Sequence, residues 1–423
     1  MRFIADLHIH SRYSRATSKE MDIPTLGRYA EKKGIRVLGT GDFTHPEYLR
    51  SLKQNLKPTG DGMFINGSTY YMLNVEVNNI YSAGGKLRRI HNLIFVPSFE
   101  TADKVASLLD RYGKLASDGR PTVSISSYEM LARLLEMDRR AFVVPSHIWT
   151  PWFSLFGSNS GFDAIEECFE DLSDRIFAVE TGLSSDPPMN WRLSVLDSRT
   201  LVSNSDAHSP SRLGREANVF ECDLTWDGIV DALKAKDEDR LKYTIEFFPE
   251  EGKYHFDGHR ACNITLSPEQ SLLNNDLCPV CGRKLTVGVL HRVEELADRK
   301  PKDVPGGMIP FRHLVPLEEI VSEALGHGRD TVAVQKLYNE LVDDLGSEFD
   351  VLIDSPTGEI ERVAGERVAL AVDNMRKGEV NATPGYDGVF GFISLLPDSA
   401  KGREQEQGRA EEEAGQQLGL WGP

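Results

Sequence analysis

Cysteine is scarce in this chain: there are five in 423 residues, an odd number. Three of them, Cys262, Cys278 and Cys281, crowd into one cluster. This excludes a disulfide framework and leads us to expect a reducing, cytoplasmic compartment. Long hydrophobic runs are missing too. No stretch reaches the roughly twenty apolar residues of a membrane span, and Met1–Arg2–Phe3–Ile4 runs straight into a strand with no apolar leader. A surplus of positive charge is also absent. Lys and Arg number 48 against 65 Asp and Glu, a net charge of −17, which excludes loose coating of nucleic acid by a broad basic surface. A local basic channel is compatible with that balance, with Arg88, Arg89 and His91, or Arg212 and Arg215, as contributors. No repeat of fixed period occurs. The length exceeds what one core usually serves, so more than one domain is expected.

What is present is a strand grammar. Arg2–Phe3–Ile4–Ala5–Asp6–Leu7 is an apolar strand leading into His8-x-His10, and strand alternation puts both imidazoles on one face as a chelating pair. The pattern recurs. Ile35–Gly39 runs to Asp42, Tyr70–Val75 to Glu76, Ala141–Pro145 to His147, and Leu201–Ser205 to Asp206-x-His208. His91 is the exception, standing at the start of the run His91–Val96. Helical periodicity at Ile23–Lys33 and Ala102–Leu109 separates the strands, which implies parallel βα units. Ligands at the C-terminal ends of such strands are what a barrel active site needs.

These residues resemble the ligand series of the PHP (polymerase and histidinol phosphatase) family. The resemblance implies an α/β fold, a distorted seven-stranded βα barrel, with a two- or three-metal phosphoesterase site. His8, His10, Asp42, Glu76, His91, His147, Asp206 and His208 would be metal ligands, with Glu76, Asp206 and His208 central to catalysis and Glu76 bridging. The sequence departs from the family twice. Asp42 of Thr40–Gly41–Asp42 stands where a histidine is usual, and Arg15 stands where a further ligand often follows His-x-His.

A narrower resemblance covers more of the chain. Ser146–Phe153, Phe156–Phe162, Glu180–Asp186, Met189–Arg192, Cys278–Gly282 and Gly288–Arg299 are similar to blocks of the endonuclease Q family. That implies a DNA repair nuclease cutting 5′ to deoxyuridine, deoxyinosine, deoxyxanthosine and abasic sites, in double- or single-stranded DNA, with Zn, Mg or Mn in the barrel. A lesion inside a duplex must be flipped out to be read. Trp149, Trp152 and Trp191 offer aromatic faces for this, and Asn159 a donor to the carbonyl that replaces an amino group on deamination. The alternative is a small-molecule phosphatase or phosphodiesterase of the PHP type, which gives no role to the rest of the chain.

The barrel is expected to end near residue 245 and a zinc module to occupy 246–293. There His259-x-x-Cys262 faces Cys278-x-x-Cys281 across a fifteen-residue insert, a spacing typical of structural zinc; His255 is an alternative to His259. A mainly helical domain follows over 294–397, with helices at Leu317–Ala324, Thr331–Leu345 and Glu361–Arg376. The stretch 398–423 is polar and reads as a disordered tail. Its end, Gln417–Leu418–Gly419–Leu420–Trp421, resembles the peptide by which bacterial repair proteins bind the replication sliding clamp, with Gln417, Leu418, Leu420 and Trp421 as contacts.

Overall fold

The computed structural model describes residues 1–397. The proposed clamp contacts Gln417, Leu418, Leu420 and Trp421 lie outside the described residues. Two compact units are present: Met1–Leu314 together with Pro384–Gly391, and Val315–Thr383 together with the segment from Phe392. Among the described residues no helix is long and apolar enough to cross a membrane.

The first unit is a PHP-type barrel of seven strands: Arg2–Asp6, Ile35–Gly39, Thr69–Ala83, Lys86–Val96, Phe142–Pro145, Ala178–Glu180 and Thr200–Val202. The first three pair in parallel. The fourth then turns back antiparallel on the third through Gly84–Gly85 and pairs antiparallel with the fifth. The expected all-parallel βα succession is therefore interrupted, because a two-residue turn can only join antiparallel strands. Sixth and seventh strands pair in parallel, and a parallel bridge between Ile9 and Ala207 closes the ring. Asparagine side chains tie these strands together at one end. Asn74 of the third strand reaches past Gly39 to donate to the Leu7 carbonyl at 2.5 Å, and across the gap between seventh and first strands Asn204 accepts from the Leu7 N–H at 2.8 Å.

Alternation decides which side of the first strand packs. Phe3, Ala5 and Leu7 enter an apolar core with Phe95, Phe142, Phe220 and Trp226, while His8 and His10 face the other way. Within that core Phe95 stacks on Phe142 with ring centroids 4.6 Å apart. The sheet does not end at residue 245. Ala217–Glu221 pairs with both the first strand and Leu241–Glu246, and Phe311–His313 returns to pair in parallel with Leu241–Glu246. Residues 294–314, expected in the helical domain, thus belong to the first unit. Glu294 holds Arg192 and Asp298 holds Ser194 there.

The second unit is mainly helical: Leu317–Leu325, Val332–Leu345, Thr357–Ala364 and Glu366–Lys377. Where one helix was expected over 361–376, Gly365 at φ 84° breaks the path into two. An L side chain rarely tolerates that φ.

Candidate metal centre

Three groups able to hold a metal ion meet at one end of the barrel: His8–His10–Glu76, His10–Asp206–His208 and Glu76–His91–His147, with the ligand atoms of each within 4.8 Å of one another; Glu76 and His91 stand mid-strand in the long hairpin. Glu76 and His10 are each shared by two groups. The expected face-sharing of His8 and His10 is met, with ring centroids 5.3 Å apart. His91 lies midway along Lys86–Val96, but that strand runs antiparallel to Phe142–Pro145 and its Asn92 pairs with Pro145, so His91 comes level with the end of that neighbour. Its Nδ1 sits 2.8 Å from Glu76 Oε1, and His147 Nε2 sits 3.0 Å from the same oxygen. Three of these strand-end residues have left-handed backbones: Asp42 at φ 50°, His147 at 29° and Asp206 at 47°. Such positions are costly for non-glycine residues and cluster at functional sites.

Asp42 departs from the expected role. It belongs to none of the three groups. Its Oδ1 lies 3.2 Å from His10 Nδ1, and its Oδ2 is occupied by the Ser11 N–H at 2.6 Å and the Ser14 hydroxyl at 2.9 Å. It therefore holds the back of a ligand ring. Glu180, which the sequence reading missed, does the same for His8, at 3.0 Å from Nδ1, and also accepts the His147 backbone N–H at 2.9 Å. A carboxylate behind a histidine fixes its tautomer, so that Nε2 offers a lone pair to a metal. A strand-end acid in the sequence (Val179–Glu180) was the available signal, but nothing there separates a ligand from its support. Arg120 was also missed. Its Nη1 lies 3.2 Å from Glu76 Oε2.

The chemistry of the donors fits divalent ions. His8 Nε2, His10 Nε2 and Asp206 Oδ1 are buried and have no hydrogen-bond partner among the described residues. His10 Nε2 and Asp206 Oδ1 simply face each other at 3.0 Å. Burial opposes charge on His8, yet Glu180 and Glu76 outweigh it and hold its pKa well above the ordinary value. Burial likewise opposes an ionised Glu76, but His91, His8 and Arg120 hold it well below the usual carboxylate range. Paired acids that stay ionised around unpartnered imidazole nitrogens call for a cation between them.

The proposed base readers fare unequally. Trp149 is withdrawn from that role: it is 1% exposed, its Nε1 donates to Asn190 at 2.8 Å, and its ring packs on Phe156. Trp152 and Asn159 are exposed on the segment following His147, and Trp191 is half-buried, edge-on to Phe311. Phe153, also on that segment, lies 5.2 Å from the His91 ring with the Arg89 guanidinium over its face. Away from the barrel strands, His259, Cys262, Cys278 and Cys281 converge as a four-residue group able to hold a metal ion. His255 is not part of it; it is buried and stacked on Phe256.

The "PHP-associated" family model matches residues 199–237, and the "MJ0043 C-terminal domain" model matches 316–379. The lesion-specific endonuclease PfuEndoQ of Pyrococcus furiosus superposes with a TM-score of 0.84 at 32% identity, covering 95% of this chain and 97% of its own. An endonuclease Q bound to a 27-mer duplex with an abasic lesion at its active site superposes at 0.83 and 34% identity, covering 95% and 98%. The chain belongs to the endonuclease Q family. Two uncharacterized relatives share its sequence. YqxK of Bacillus subtilis is 28% identical, over 93% of this chain and 99% of its own length. MJ0043 of Methanocaldococcus jannaschii is 36% identical over 61% of this chain, and the match spans only 32% of that longer protein.

Proposed function

We propose that this endonuclease Q family member is a metal-dependent DNA repair endonuclease that hydrolyses the phosphodiester bond 5′ to deoxyuridine, deoxyinosine, deoxyxanthosine and abasic sites. A 3′-hydroxyl and a 5′-phosphate result. The observation that carries this reading is the set of buried, unpartnered donors His8 Nε2, His10 Nε2 and Asp206 Oδ1 converging at the barrel end, in a family with a member bound to lesion-bearing duplex DNA. Bound Zn, Mg or Mn ions would supply an activated water and stabilise the leaving oxygen. His8, His10, His91, His147, Asp206 and His208 hold such ions around Glu76, while Asp42 and Glu180 keep His10 and His8 in register. His259, Cys262, Cys278 and Cys281 hold a structural zinc.

For recognition, Trp152, Trp191 and Phe153 supply the stacking surfaces for an extruded base, and Asn159 a donor to its carbonyl. An amino group at that position would leave the donor badly paired. All five cysteines are unpaired, which supports a cytoplasmic setting. The segment Gln417–Trp421 would tether the enzyme to the sliding clamp, with Leu420 and Trp421 as anchors and Gln417 at the rim. A labelled peptide of residues 415–423 should bind purified clamp and lose binding on joint Leu420→Ala and Trp421→Ala substitution.

The decisive experiment incubates purified protein and Mg²⁺ or Mn²⁺ with labelled oligonucleotides carrying each lesion or none. Nicking should appear one bond 5′ of the lesion only. Asp206→Ala and His8→Ala should each abolish it with unchanged melting. Near-wild-type cleavage by both variants at unchanged metal content would overturn the proposed site.

A further inference from the structure

Arg120 belongs to no ligand group, yet its guanidinium reaches into the candidate metal centre. It leaves the backbone just before the short strand Thr122–Val123. Its neighbour Gly119 lets the segment close on the centre, since a Cβ there would lie 2.3 Å from Asp42 Oδ2. Asp118 fixes the approach by accepting the Arg120 N–H at 3.2 Å and the Arg15 N–H at 3.3 Å. The side chain then sets Nη1 3.2 Å from Glu76 Oε2, an oxygen also 3.4 Å from His10 Nε2 and 3.7 Å from His8 Nε2. Glu76 is fully buried, whereas the Arg120 side chain is 28% exposed. Of the five guanidinium donors only Nη1 is engaged among the described residues.

Pairing with Glu76 takes up only Nη1 and leaves the rest of the guanidinium fork unengaged among the described residues. Glu76 stands between this fixed positive charge and the candidate ligands His8 and His10, and a further anion at the guanidinium would lower its repulsion from divalent ions bound there. A guanidinium fork with free donors has the geometry for a phosphate oxygen.

We propose that Arg120 grips the scissile phosphate. Its free donors bind a non-bridging oxygen of the phosphodiester and stabilise the negative charge that grows there as the water oxygen bonds to phosphorus. The P–O3′ bond then breaks and the leaving O3′ takes up a proton. This inference rests on the endonuclease reading above and assigns one residue a contact within it.

The test uses the full chain and its Arg120→Gln and Arg120→Lys variants. With Mg²⁺ or Mn²⁺, Arg120→Gln should lose about 100-fold or more in kcat, with KM raised by no more than about tenfold, and Arg120→Lys should lose less, at unchanged metal content. A second arm measures anisotropy with Ca²⁺ in place of the catalytic ion, on lesion duplexes carrying either the normal phosphate or a neutral methylphosphonate at the scissile position. The wild-type chain should prefer the charged phosphate by about tenfold, and Arg120→Gln should lose that preference. Retained preference, kcat within about threefold of wild type, or loss of metal along with activity would each overturn the assignment; the last would make Arg120 a support for Glu76. If the wild-type chain nicks no lesion DNA, the endonuclease reading falls and this inference with it. If wild type nicks and the variant is unaffected, this inference alone falls.

Discussion

Glu180 holds two candidate ligands at once, the His8 ring through Nδ1 and the His147 backbone through its N–H. Glu180→Gln preserves the shape and removes the charge, so His8 loses both its tautomer lock and some basicity. Metal affinity should fall by about 10–100-fold with melting little changed, as titration of the metal-free protein would reveal. A second buried acid gives a pH signature. Burial pushes Glu246 up to about 7, against the pull of the Thr244 hydroxyl, and its neighbour Glu216 well above its ordinary value. His313, Asp186, Glu180 and Arg215 are the other charged groups facing this pair. The fold therefore favours the protonated acids. Their stabilisation is complete below the ordinary value of 4.5 and is lost as pH rises through about 7. Between pH 5 and 8 the wild type should lose roughly 3–5 °C in Tm relative to Glu246→Gln. Equal slopes in thermal melts would refute this. At this scale the sequence was partly legible. His8, His10, Glu76, His147, Asp206 and His208 could be read as candidates because each closes an apolar run in the sequence, although the strand that carries Glu76 continues to Ala83. Asp42 looked like a ligand because an acid behind a histidine and an acid on a metal have the same neighbours in sequence. Arg120 carried no signal at all, since only folding brings its segment to Glu76.

Among the elements, the paired turns that carry His259, Cys262, Cys278 and Cys281 are braced by Tyr386, which donates to Asn263, and by Asp387, which accepts the Arg260 N–H, both at 2.6 Å. Burial disfavours a thiolate at Cys278, yet the N–H groups of Cys281 and Val280 point at its sulfur and hold the thiol down to about 6. A preformed thiolate is what zinc binds. Cys278→Ser should release one zinc, leave the barrel metals in place, and open the 257–286 segment to protease. Unchanged zinc content by elemental analysis would rule out the assignment. The His-x-x-Cys and Cys-x-x-Cys spacings made this unit readable, although only the structure chose His259 over His255. The antiparallel fourth strand was not readable. Apolar runs separated by helical patterns suggest parallel strands, and direction here is set by the small Gly84–Gly85 turn. Trp149 and Trp152 show the same limit. They stand three residues apart, but one is sealed against Phe156 and the other is exposed.

Over the whole molecule, the boundaries expected at residues 245 and 294 gave way to a first unit that extends to Leu314 and takes in Pro384–Gly391. A returning strand such as Phe311–His313 has no compositional signature; three residues acquire their role only from the partner Leu241–Glu246. The second unit was legible as helical because its periodicity is long. A net charge of −17 disfavours broad electrostatic contact with DNA, which leaves local cations such as Arg89 and Arg120 as candidates for it. A chain ending at residue 397 should melt and nick as the full chain does, while losing any affinity for the clamp. Impaired nicking by the shortened protein on free oligonucleotides would mean that 398–423 contributes to the site itself.

The hairpin Thr69–Ala83/Lys86–Val96 also has an evolutionary consequence. Glu76 lies opposite Leu93 and His91 opposite Asn78, so the acid and its histidine are diagonal neighbours on one face, registered from the Gly84–Gly85 turn. The hairpin arms therefore work as a ruler. One residue gained or lost in a single arm would carry His91 to the opposite face, whereas matched changes in both arms would leave the pair intact. Across the family, length variation in this hairpin should be confined to even steps, split equally between the arms, even where the residues along them differ.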